Sequence, residues 1–83
     1  MGKVRAEAVD GGVGRRLRML RAREDKTARE VAVESGVSYD TLMPIEQGRR
    51  EGCKFDTLRK LTSYYGVAMD WLITGGGPGG MPG

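Results

Sequence analysis

Apolar residues in the middle of the chain recur at helical spacing. Val13, Leu17 and Leu20, with Glu24 one turn further on, set out a first helix with an apolar stripe. Thr27 opens a second helix, and Glu30 three residues later completes a capping box. Val31 and Ala32 form its inner face, and Gly36 closes it in a left-handed position. Val37 plugs the turn into the core and Ser38 caps a third helix. Leu42 and Ile45 supply the inner face of that helix, and Gly48 ends it. Phe55, Leu58, Leu61, Thr62 and Tyr65 give a fourth helix, stopped by Gly66. Val67, Met69, Leu72 and Ile73 belong to a short fifth one that ends before Gly75. No segment alternates with period two over a strand's length. The predicted fold is all-α, with five helices and two of them, the second and third, joined by a tight glycine turn.

The flanks read differently. Residues 1–12 lack periodicity, end in Asp10-Gly11-Gly12 and read as a flexible arm; residues 75–83, GGGPGGMPG, read as a disordered tail. Residues 13–74 remain as one domain. Within the 83 residues there is one cysteine, Cys53, and no histidine. An internal disulfide is therefore impossible, and histidine-based catalysis and most zinc sites fall away. No cluster suggests another enzyme, metal or cofactor, and Cys53 reads as a bystander. No apolar stretch is long enough to span a bilayer, and no apolar core follows the N-terminal charges as in a secretory signal, so the expected compartment is the cytoplasm.

The net charge of +3 is unevenly spread. Residues 13–26 set Arg15, Arg16, Arg18, Arg21, Arg23 and Lys26 against Glu24 and Asp25, a local +4. Residues 27–50 set Arg29, Arg49 and Arg50 against Glu30, Glu34, Asp40 and Glu46, a local −1. A basic surface is thus expected from the first helix and the Arg49–Arg50 pair.

Taken together, L-x-x-L-R, T-x-x-E-V-A, S-G-V-S-x-x-T-L, I-E-x-G-R-R, L-x-K-L-x-x-Y-Y-G-V and D-W-L resemble the lambda-repressor-like, Cro/XRE family of bacterial and phage DNA-binding domains over residues 13–74. The resemblance implies a helix-turn-helix whose second helix crosses the DNA backbone and whose third enters the major groove. It also implies a two-fold dimer on a palindromic operator. A buried pair is implied between the arginine ending the first helix and the glutamate ending the third, here Arg21 and Glu46.

Carried residue by residue, the resemblance puts base contacts at Ser38, Tyr39, Asp40, Thr41, Met43 and Pro44. Phosphate contacts fall to Arg15, Thr27, Arg29, Arg49, Arg50 and Lys54. The family's frequent glutamine after the second helix cap is Ala28 here. Tyr39 can donate to a base or phosphate, or stack on a thymine methyl. Asp40 accepts only; its base partner is the cytosine amino group, and its alternative role is to complement the positive end of its helix. Met43 suits a thymine methyl or a protein contact. Pro44 lacks the N–H that would bond the Asp40 carbonyl, and interior proline costs roughly 3 kcal/mol, so a kinked third helix or a loose first turn is expected. Tyr64, Tyr65 and Trp71 read as core or as a dimer interface, with Trp71 and then Tyr64 the interface candidates.

The resulting expectation is a non-enzymatic, nucleoid-associated, sequence-specific binder of double-stranded DNA. It would act as a dimeric repressor of phage, mobile-element or bacterial type, without a cofactor. The alternative is a helix-turn-helix shape used as a protein-interaction module, an antitoxin or adaptor, for which Asp40 and Pro44 are the motive.

Overall fold

The computed structural model describes residues 12–49 and 53–75. The arm as far as Gly11, the tail beyond Gly75 and Arg50 lie outside the described residues. Five helices follow one another there: α1 Val13–Glu24, α2 Ala28–Ser35, α3 Tyr39–Glu46, α4 Phe55–Tyr65 and α5 Met69–Thr74. No strand occurs among the described residues. α1 packs on α3 and α5, α2 on α3 and α4, and α4 on α5.

The periodic residues fill the centre. Leu17, Val31, Leu42, Ile45, Leu61 and Leu72 are fully buried, and each such side chain contributes about 1.5–3 kcal/mol of transfer free energy before entropy is set against it. Phe55 departs from the expected stripe. It is the first residue of α4, lies past the edge of the core and is 69% exposed.

The helix ends follow their local chemistry. The Glu30 N–H donates to Thr27 Oγ1 at 3.1 Å and the Thr27 N–H to Glu30 Oε1 at 2.8 Å, the reciprocal bonds of a capping box. Gly36 takes φ 83°, a region closed to most side chains, and turns the chain toward α3. Ser38 Oγ accepts from the Thr41 N–H at 3.2 Å, and its carbonyl from the Leu42 N–H at 2.9 Å. The first turn of α3 is therefore held, not loose. Pro44 lies in its last turn, and the helix runs through Met43 and Pro44 to Glu46. The bond that Pro44 cannot make leaves open a carbonyl of exposed Asp40, where water is at hand. The Pro44 carbonyl itself accepts from the Arg49 and Gln47 N–H groups at 2.9 and 3.2 Å, closing the helix.

One face of α1 grips the end of α3. Gly14, Arg18 and Arg21 share that face at helical spacing. Arg21 Nε donates to Glu46 Oε2 at 2.9 Å and its Nη2 to Glu46 Oε1 at 2.8 Å, a two-pronged pair in which Glu46 is 1% exposed. That contact, more than any other, raises the Arg21 pKa above its ordinary value. Arg18 Nη1 donates to the Glu46 carbonyl, placing a cation at the negative end of α3. At Gly14 the helices touch by backbone: a Cβ there would collide with the Ile45 carbonyl oxygen and sit 2.8 Å from that of Glu46.

The expectation of a basic surface along the whole first helix is corrected at one residue, and of the two places expected for Trp71 it takes the core. Arg16 does not belong to the basic surface. It is buried, donates from Nε to the Leu72 carbonyl at 2.8 Å and from Nη2 to that of Ile73 at 3.1 Å, and lies 6.0 Å from the Trp71 ring centroid. It thus clasps the C-terminal end of α5. Trp71, 5% exposed, fills the core of its own chain and offers a second copy almost no indole surface.

Two stability outcomes follow. Glu46→Ala removes the buried half of the pair and its two charge-assisted bonds from the half-buried Arg21, and should cost about 1.5–3 kcal/mol, a large share of what so small a core supplies. A thermal melt coincident with that of the parent would show the pair to be idle. Gly14→Ala should cost about 1–3 kcal/mol in denaturant titrations by forcing α1 off α3. An unchanged midpoint would mean that the two helices have slack there.

Candidate nucleic-acid interface

The helix-turn-helix is built from the two capped helix starts at Thr27 and Ser38 and the Gly36–Val37 turn. Val37 is buried, so the turn is pinned to the core while the N-terminal turns of α2 and α3 stay outside. Thr27, Arg29 and Glu30 are exposed at the start of α2, and Ser38 and Asp40 at the start of α3. The Thr27 hydroxyl accepts in the cap and keeps its own hydrogen to donate.

Ser38 is more fully engaged than the sequence implied. Besides capping, its hydroxyl donates to Thr41 Oγ1 at 2.9 Å. In this pair the Thr41 hydroxyl, on a half-buried side chain, is the one left with a hydrogen to donate. Tyr39 is half-buried, packed by its ring against the edge of the core. The Arg29 guanidinium carbon lies 4.1 Å from the centroid of that ring, joining α2 to α3 across the turn. Met43 and Pro44 are half-buried, further along α3. The expected base-contact residues therefore differ in what they offer: Asp40 is exposed, Ser38 is tied to Thr41, and Tyr39 serves as a platform.

Of the expected phosphate contacts, Arg49 is exposed just past α3, Lys54 is exposed as the N-cap of α4, and Arg15 is exposed on α1 beside Met19. Arg29 is held at the turn by Tyr39. An open groove of about 470 Å³ runs along the same turn, lined by Arg29, Ala32, Val33, Gly36, Val37, Ser38 and Tyr39. Val33 on its wall is 83% exposed, a feature the sequence reading missed because it had no place for an outward valine on α2.

A polar triad fixes the other side of α2. The Tyr64 hydroxyl and Lys26 Nζ, the latter at 2.9 Å, both donate to Glu34 Oε1, and the Tyr64 ring meets that of Tyr65 edge-on at 4.9 Å. Tyr64 is thereby committed to its own chain through its hydroxyl, with its ring half-buried. The Tyr65 hydroxyl is buried without a hydrogen-bond partner, and burial, chiefly, pushes its pKa upward.

The model of the helix-turn-helix domain family matches residues 13–70, most of the chain. The chain belongs to the helix-turn-helix domain family, in agreement with the lambda-repressor-like resemblance and with a role in DNA binding. No curated protein and no solved structure matches it. None of the described helices is long and apolar enough to cross a membrane.

The triad sets a pH dependence. The bond from Tyr64, then that from Lys26, lowers the Glu34 pKa below 4.5, while the Glu34 carboxylate raises those of Tyr64 and Lys26 above 10.0 and 10.5. A lowered carboxylate stabilises the fold fully above its unfolded value and ceases to do so as the pH falls through the folded one. The raised phenol and ammonium contribute below their unfolded values and lose this as the pH rises through the folded ones. The advantage in Tm of the parent over Glu34→Gln should therefore be constant from about pH 5 to 9 and shrink toward about pH 3. A gap that stays the same at acid pH would show that the triad does not hold α2.

Proposed function

We propose that this protein is a sequence-specific regulator that binds double-stranded DNA as a homodimer, on a palindromic operator with half-sites about one helical turn apart. The observation that carries the reading is the rigid presentation of the α3 start. Ser38 caps it, Glu46 ties its far end to Arg21, and Asp40 stays outside between the half-buried Tyr39 and Thr41. Repression by occupying the operator suits a small helix-turn-helix domain that holds the start of α3 rigidly. A phage, mobile-element or bacterial setting and a place at the nucleoid go with that reading. Thr41 and Asp40 face the bases, and Thr27, Arg49, Arg50, Lys54 and Arg15 contact phosphates. The dimer contact draws on the C-terminal helices, where Tyr64 is the aromatic at hand.

A second reading, a protein-interaction module, is favoured by one observation: exposed Val33 on the wall of the groove at the turn. Salt separates the two. Under the DNA reading, Arg49→Ala and Arg50→Ala should each reduce the slope of log K against log salt by about one. If the purified chain retards no duplex at low salt, the interaction module takes its place.

A further inference from the structure

We propose that Arg29, laid on Tyr39, reads a guanine, so that the two side chains form one specificity-determining unit across the turn; this rests on the DNA-binding reading above. Arg29 stands in the first turn of α2 and Tyr39 is the first residue of α3. At 4.1 Å from the centroid the guanidinium carbon lies over the Tyr39 ring, within the range of a stacked contact. A guanidinium stacked on an aromatic face keeps its N–H fork free for acceptors in its own plane. The other cations near this turn are used differently: Arg21 binds Glu46 and Lys26 binds Glu34. Arg29 is exposed and has no hydrogen bond or ion pair among the described residues.

A phosphate accepts any nearby cation, and a mobile one serves well. A guanidinium whose direction is fixed suits a target with two acceptors in one plane, and in the major groove that is the O6/N7 edge of guanine. Tyr39 supplies the fixing. Its ring packs against the core on the first residue of the reading helix, so the arginine from α2 is held by the helix that enters the groove. Exposed Val33 and buried Val37 line the adjoining groove, whose walls hold no carboxylate, and the neighbouring Glu30 carboxylate is taken by the Thr27 N–H.

The test begins with the full chain and a site selected from a random duplex pool. Each guanine of that site is then replaced in turn, and affinities are measured for the parent, Arg29→Lys, Tyr39→Phe and Tyr39→Leu, with melting curves to confirm folding. Arg29→Lys keeps the charge at an exposed position and loses only the fork. One guanine per half-site should cost the parent about 10- to 100-fold and Arg29→Lys less than about 3-fold, with the salt slope unchanged. Tyr39→Phe, which keeps the ring, should discriminate as the parent does, and Tyr39→Leu should not. Discrimination retained in full by Arg29→Lys would overturn the proposal and leave DNA binding standing, with Arg29 as a phosphate contact. If no duplex binds even at low salt, the DNA reading falls and takes this one with it.

Discussion

The fold depends on how α1 holds the C-terminal end of α3. Three side-chain positions do this from one helical face: Gly14 lets the backbones touch, Arg18 takes the Glu46 carbonyl, and Arg21 takes the Glu46 carboxylate in two bonds. Burying a carboxylate to 1% exposure is strongly unfavourable unless a partner is fixed beside it. The pair is thus less a source of net stability than a constraint on where α3 can lie. An apolar substitute at position 46 could pack as well and would leave the direction of the helix to shape alone.

That constraint acts at a distance. α3 has eight residues, from Tyr39 to Glu46. Its last residue is locked and its first turn is capped by Ser38, so the outward residues between them inherit a defined orientation. The arrangement also gives Pro44 a place. In the last turn it removes one backbone bond near water, while its carbonyl closes the chain onto Gln47 and Arg49. The proline that looks disruptive inside the third helix stands close to where a short helix would end in any case.

Much of this was legible in the chain because it is local. The capping box at Thr27 and Glu30, the left-handed Gly36 and the Ser38 cap are decided within four residues, and the structure has all three. The apolar stripes are equally plain. What the sequence withheld was long-range. Arg16 lies on the same stripe as Val13, Leu17 and Leu20, which is a signal that it turns inward, but its acceptors are carbonyls 56 and 57 residues away. The glycine at position 14 reads as a weak helix residue until α3 is seen against it. Trp71 on a terminal helix reads as core or as interface, and only packing decides for the core. At the candidate interface, the exposed residues follow from capping, whereas the stack of Arg29 on Tyr39 joins two helices and no single periodicity reports it.

The central claim is that the starts of α2 and α3 face the duplex. The most direct measurement is a titration of the isotopically labelled protein with a short duplex at low salt, following backbone amide resonances. The largest shifts should fall on Thr27 to Glu30 and on Ser38 to Thr41, with the buried face around Leu61 and Leu72 nearly unmoved. Shifts concentrated instead on α4 and α5, or no shifts at any residue, would contradict the account.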